Sequence, residues 1–396
     1  MKQLPRVVRW LIGGLGAVAL LTGLLVVKGE GQRAQLPPDV TTSASPTATA
    51  VPGKRLANLL LTVTDRKGRT LAATIVNRSL DSSLVDIVSV DTDVVVDLDT
   101  LGMTNLGSTS LETSPDLVQD AVSVATGFPI EGTLVLQRLS LAGLIDGVGG
   151  IDVTSSGDFV VSPIDEQPVY VFAGTQHLDG TQASYYATFL QEGEPESARV
   201  ARLNTVLSAT LSALPKDAKR LKEVITALGA LAKSTVPTQD IAGLFLDLNE
   251  GQAWKSISQV AIPTVASDLS VEPESGWLRV SRGASLKLAR KITGQTVSSV
   301  PDAPVVVMVG SAVPADRLQA RSELVGASLA FVDGGTRKAR AHSTLSVDPR
   351  LTQDQIAQIA KALKLPATVV ESLKVKANLP ADALVTLGTD VLVPNP

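Results

Sequence analysis

Apolar residues follow two rhythms along the chain. Short Val/Leu/Ile runs bounded by polar turns, LANLLLTV (56–63), TLAATIVN (70–77) and SLVDIVSV (83–90), predict strands. SPDLVQDAVSVAT (114–126) opens on Ser-Pro-Asp and spaces its apolar residues helically. LSLAGLIDGVGG (139–150) predicts a short helix stopped by glycines, and 198–214 and 218–234 predict two longer amphipathic helices. Such alternation is the signature of α/β layering, with helices packed on a sheet. Pro301 and Pro304 mark a linker, after which a smaller α/β pattern of about 90 residues begins. Its predicted elements are a strand and turn at 305–313, a Pro-initiated helix at 314–327, a strand at 339–347, a helix at 352–364 and a closing strand at 384–393. No internal repeat is present.

The N-terminus carries a different pattern. Trp10 to Val27 is 18 residues without a charge. As a helix it would span about 27 Å, near the thickness of a bilayer's hydrocarbon core. Lys2, Arg6 and Arg9 precede it with no acid among them, which places residues 1–9 in the cytoplasm and the bulk of the chain outside a single-pass cell membrane anchor. Signal cleavage would require small residues just after the apolar run, where VVKGEGQR stands instead. The Pro/Ser/Thr-rich stretch that follows, within 28–54, predicts a solvated tether. The organisation expected is therefore a tail (1–9), a membrane helix (10–27), a linker (28–54), a large α/β domain (55–294), a second linker (295–302) and a small α/β domain (303–396).

Composition narrows the chemistry. An apolar fraction of 44% with 19% charged residues supports real cores, and only 3% are aromatic, so those cores rest on Val, Leu, Ile and Ala. A net charge of −4 gives no case for nucleic acid as a partner. Without cysteine there is no disulfide, thiolate nucleophile or Cys-bound zinc. The two histidines, His177 and His342, fall on separate predicted domains and suit neither a triad nor a His-rich metal site. Gly149-Gly150 and Gly334-Gly335 lack the spacing of a phosphate-cradling loop.

One stretch asks a sharper question. In VDTDVVVDLDT (90–100), Asp91, Asp93, Asp97 and Asp99 alternate with apolar residues and Thr92. If the run is extended, all four carboxylates share one sheet face. A metal site, a catalytic acid/base set and a solvated strand edge would each use that arrangement, and the plain expectation is the solvated edge.

Two segments, LSLAGLIDGVGGIDVTSSGDF (139–159) and GTQHLDGTQASYYATF (174–189), resemble the LytR-CpsA-Psr (LCP) family of extracytoplasmic proteins, with its "VDALGGVDV" turn and "LDG" helix. GFPIEGTLVL (127–136) and ARVARLN (198–204) are similar to two further family segments, and 303–396 resembles the LytR C-terminal domain often appended in actinobacteria. The resemblance implies an αβα fold, a central mixed sheet with helices on both faces. It implies transfer of a glycopolymer from a polyprenyl-pyrophosphate lipid to peptidoglycan or another cell-wall acceptor, with Mg2+ as cofactor. Pyrophosphate needs guanidiniums, and magnesium needs carboxylates.

Carried over residue by residue, the family's site is thin in this chain. Asp93 matches the aspartate expected to hold the metal, Arg199 and Arg202 match catalytic and pyrophosphate-binding arginines, and Asn105 matches a substrate-binding position. Thr92 stands where an arginine is expected and Ala73 where an aspartate is. Ala187, Thr188, Phe189 and Leu190 cover the place of two further arginines, and Leu203 replaces a glutamine. Between Ser79 and Ala198 the one cation, Arg138, faces 19 acids, a field that repels an anionic carrier. The sequence therefore predicts an LCP fold whose pyrophosphate site has eroded, with a catalytically inactive envelope glycan-, lipid- or protein-binding module as the alternative to a transferase.

Overall fold

All seven residues of β1 (Asn58–Thr64) are buried. A near-continuous apolar run of this kind is what a strand covered on both faces requires. The computed structural model describes residues 56–78, 85–109, 113–162, 167–228, 232–250, 257–269 and 276–391. The segment Trp10–Val27 and the tether lie outside the described residues, among which no helix is long and apolar enough to cross a membrane.

β1 runs through a six-stranded mixed sheet. It pairs antiparallel with β2 (Thr70–Arg78), which pairs antiparallel with β3 (Val85–Val90). On its other side β1 pairs parallel with Gly132–Gln137. The strands Ala232–Ser234 and Ile257–Ala261 close the two edges. Alternation sorts the side chains. Leu59, Leu61, Val63, Val76 and Ile87 enter one core, whereas Leu60, Ile75, Val88 and Val90 enter the other. The second core is sealed by α1 (Pro115–Thr126), through Val118 and Val122, and by a helix at Arg282–Thr293. The first is sealed by α2 (Arg138–Gly147), α3 (Gly180–Thr188), α4 (Glu196–Ala213), α5 (Ala218–Thr226) and α6 (Thr238–Glu250). The expected layering of helices on both faces of a mixed sheet is present.

Four expectations need correction. The helix anticipated over 218–234 ends at Thr226, and Ala232–Ser234 is an edge strand paired with Leu134–Leu136. An open strand edge overrides a weak local preference for helix. The strand anticipated at 339–347 is confined to Thr344–Val347, and the closing strand at 384–393 is Ala383–Thr386 followed by a 3-10 turn at Thr389–Val391. The run 90–100 is not one strand. β3 stops at Val90, and β4 (Val95–Asp97) pairs with β5 (Met103–Asn105) in a separate ribbon.

Beyond residue 300 a second, five-stranded sheet forms in the order 330–336, 306–311, 383–386, 344–347, 374–375. One of its faces packs Val307, Val309 and Val385 under helices through Leu324, Ile356 and Ile359. The other places Val306, Met308, Val332 and Leu384 against Val297 and Val124, so α1 lies between the two sheets. With α7 (Arg282–Thr293) and α8 (Pro314–Gly326), these elements position everything described below.

Candidate functional site

The chain turns sharply after β3. Asp91 Oδ1 accepts a hydrogen bond from the Asp93 backbone N–H at 2.9 Å, and Val94 N–H donates to Asp91 O at 3.2 Å. Asp side chains stabilise turns by capturing a backbone N–H two residues on, and this one breaks the extension on which a shared face depends. The four aspartates consequently separate into pairs. Asp97 does not stand on a solvated edge. It accepts two 2.9 Å bonds from Arg321 Nε of α8, and Arg321 Nη2 also reaches Asp97 and the Asp99 carbonyl. Both side chains are largely buried, at 14% exposure for Arg321 and 12% for Asp97. The pair is a clamp between the ribbon and the second sheet.

Asp93, with Asp91 beside it, lies within electrostatic reach of Glu196 and Arg199 in the first turn of α4. Arg199 is buried, but its guanidinium is held by its own helix. Nε donates to Glu196 Oε2 at 2.9 Å, and Nη2 pairs with Glu196 Oε1. Arg202 is held still more completely. Nε donates to Tyr186 O at 2.7 Å, Nη2 to Phe189 O at 2.6 Å and to Glu194 Oε2 at 3.0 Å, and Nη1 to Glu194 Oε1. Its guanidinium also lies 4.9 Å from the Phe159 ring and 5.4 Å from the Tyr186 ring. Such cation–π contact further fixes the group in place.

Charge completes the picture. Asp91, Asp93, Glu194 and Glu196 set four negative charges against the two guanidiniums, 2 − 4 = −2. Burial pushes the Asp93 carboxyl above its ordinary range, Asp91 and Glu196 push it further, and only Arg199 opposes them. Burial acts upward on Glu194 too, but hydrogen bonds from Arg202 and the Gln191 backbone hold it below the usual range.

Asn105 caps a short 3-10 turn, its Oδ1 accepting from Ser108 N–H at 2.9 Å. Leu203, at the position of the expected glutamine, is a core residue. Ser89 at the end of β3 donates to Asn204 Oδ1 of α4 at 3.1 Å, a buried link that the sequence did not signal. Among the described residues no three Asp, Glu or His side chains gather to hold a metal ion. Asp91 is committed to its turn and Glu196 to Arg199, which leaves Asp93 as the one carboxylate of this group that could hold a magnesium ion, with phosphate and water supplying its other ligands.

The two family-like motifs have clear mechanical roles. Gly149 and Gly150 take left-handed φ of 93° and 85°, and a Cβ on Gly150 would lie 2.3 Å from His177 Nε2. This turn aligns Ile151–Ser155 with Gly174–Leu178. His177 bridges Asp152, 2.9 Å from Nδ1, and the Gly149 carbonyl, 3.0 Å from Nε2, and these bonds raise its pKa. Asp179 and Gln182 form a capping box at the start of α3. Gly180 lets α3 approach α2 so closely that a Cβ there would sit 2.0 Å from the Ala142 carbonyl oxygen.

Comparison with known proteins agrees with this architecture. The LytR_cpsA_psr family model matches residues 44–279. Among solved structures, a transcriptional regulator of Enterococcus faecalis is 19% identical over 60% of this chain and 88% of its own, with a TM-score of 0.51. A protein of Streptococcus agalactiae is 16% identical over 60% and 86%, also at 0.51. Bacillus subtilis TagV is 22% identical over 60% and 95%, at 0.48. No curated protein matches the sequence. With more than half its length matched and the two glycine motifs placed as described, the chain belongs to the LytR-CpsA-Psr family.

Proposed function

We propose that this chain is an envelope-facing LCP protein, tethered by its N-terminal apolar segment, that keeps the family fold but does not transfer glycopolymer. It acts as a binding module for an envelope component. The observation that carries the reading is the pairing of Arg199 with Glu196 and of Arg202 with Glu194. An incoming pyrophosphate would have to displace two carboxylates from two largely desolvated guanidiniums, against a local charge of −2. Thr92 supplies no replacement cation; its carbonyl accepts from Gly107 N–H at 2.7 Å within the turn.

The test is incubation of the detergent-solubilised chain with a radiolabelled polyprenyl-pyrophosphate glycan, an acceptor peptidoglycan fragment and Mg2+. Turnover no greater than the protein-free background is expected. Turnover that disappears in Arg199→Ala/Arg202→Ala would overturn the reading and restore a transferase.

A further inference from the structure

The two-stranded ribbon of Phe159–Val161 and Val169–Val171 carries a surface that the fold does not use. Alternation gives it two faces. Phe159, Val161, Val169 and Val171 enter the first core, where Phe159 meets Tyr186 edge-on at 5.3 Å. Val160 and Tyr170, directly opposite each other across the ribbon, face solvent, and Phe172 continues that face. Tyr170 is 47% exposed and Phe172 60%, and their rings stack with centroids 6.3 Å apart. Phe189 and Leu190, just past the end of α3, are exposed too, and Gln191 after them donates to Val160 O at 3.3 Å.

Composition makes this placement informative. The sequence holds six Phe and three Tyr, and among the described residues the exposed ones are Tyr170, Phe172 and Phe189. A chain this poor in aromatics has left three of them on one patch of surface. Contiguous exposed apolar surface marks an interaction site, and interfaces concentrate aromatic side chains. The patch is also preorganised, because Tyr186 and the Arg202 guanidinium, 4.9 Å from the Phe159 ring, fix the buried face of the ribbon.

The ribbon does not offer its backbone. The carbonyls of Val160 and Tyr170 accept from Gln191 and Gln182, each at 3.3 Å, which blunts both edges against strand addition. What remains is the side-chain face, and its electrostatic setting selects the partner. Residues 139–198 contain nine acids and no Lys or Arg. Asp158 accepts from the N–H of Ala173, next to Phe172, at 2.8 Å, and Glu192 stands exposed beside Gln191. The one group in that stretch that can become cationic, His177, is held by Asp152 at 2.9 Å. Two copies of such a surface repel each other, and an anionic bilayer repels it as well. A cationic partner is drawn to it.

We infer that this ribbon face docks a cationic amphipathic segment of another protein. The segment's apolar side chains cover Tyr170 and Phe172, while its Lys or Arg side chains meet the acids around them. The surface stands whether or not the chain transfers glycopolymer.

The chain has no cysteine, so Ala173→Cys can carry one environment-sensitive NBD fluorophore beside the patch. The full chain in phosphatidylcholine vesicles is titrated with a peptide of Leu and Lys at helical spacing, then with its counterpart bearing Glu for Lys. The Lys peptide is expected to shift the emission to the blue, less so in added salt, and the Glu peptide to leave it unchanged. Tyr170→Ser and Phe172→Ser should each weaken binding about tenfold, as the loss of an interface anchor does. Both side chains are exposed, so folding is preserved, and Val375→Ser, at an exposed apolar residue of the second sheet, should change nothing. Binding that ignores Tyr170→Ser and Phe172→Ser, or that the Glu peptide matches, would overturn the inference. So would emission that turns blue before peptide is added, either on including phosphatidylglycerol, a membrane contact, or with rising protein density, a contact between copies.

Discussion

Removing Arg321 is expected to damage the protein far more than neutralising the aspartate it grips. Two charges about 4 Å apart at an effective dielectric of 20 attract by about 4 kcal/mol. Burial opposes this. It pushes the Asp97 carboxyl above its ordinary value of 3.8, and the Arg321 bonds and charge only partly pull it back. Ionised Asp97 is therefore held at a net cost, and Arg321 keeps that cost small. Arg321→Ala strands a carboxylate that is 12% exposed and frees the Asp99 carbonyl, for a loss of about 2–3 kcal/mol, below the range for fully buried pairs. Asp97→Asn keeps an acceptor for Arg321 and should cost under about 1 kcal/mol. The double variant should recover most of what Arg321→Ala loses.

The pH dependence has a definite sign. A carboxyl whose folded pKa is raised adds stability below its unfolded value, and that stability is lost as pH rises through the folded one. Without Arg321 the Asp97 pKa climbs further, so the Arg321→Ala deficit should shrink between about pH 7 and pH 4. Urea unfolding of the four proteins at both pH values, with m-values checked for constancy, provides the measurement. Equal losses in Arg321→Ala and Asp97→Asn, or a deficit independent of pH, would refute the reasoning.

Other expectations follow from single contacts. Gly180→Ala drives a methyl toward the Ala142 carbonyl and should cost about 2–3 kcal/mol in thermal unfolding, through separation of α3 from α2. Asp179→Ala removes one half of the capping box and should cost about 1 kcal/mol by the same assay. His177, raised by Asp152 and the Gly149 carbonyl, should titrate by NMR above the ordinary histidine value and return toward it in Asp152→Asn. Its stabilising share is complete below that ordinary value and fades as pH rises through the raised one. Residues 303–396 expressed alone would bare Val306, Met308, Val332 and Leu384, so they should bind ANS and show no cooperative melt, whereas the longer chain should melt cooperatively.

Much of the large sheet was legible because its strands are uninterrupted apolar runs. Asn58–Thr64 and Thr70–Arg78 lie within a residue or two of where that pattern puts them. The strand Ala330–Thr336 was missed because AFVDGGT contains an acid and two glycines, which read as a turn. Asp97 could not be read at all, since its partner lies 224 residues away and nothing local points to it. The candidate site was half legible. Missing arginines showed in the sequence, but the neutralisation of the surviving two did not enter that reading. For Arg199 the signal lay just out of reach: Glu196 precedes it by three residues, the spacing at which opposite charges meet on a helix, but the helix expected over 198–214 began two residues too late to include it. Glu194 gave no such sign, because it reaches Arg202 from the loop before α4.

On the proposed function, Glu196 and Glu194 withhold Arg199 and Arg202 from an incoming lipid. Native mass spectrometry of the detergent-extracted full chain tests it most directly, by weighing whatever lipid remains bound. The same spectrum is expected for the wild type and for Arg199→Ala/Arg202→Ala, whether or not lipid is held elsewhere. A polyprenyl-pyrophosphate adduct present in the wild type and absent from that double variant would contradict it.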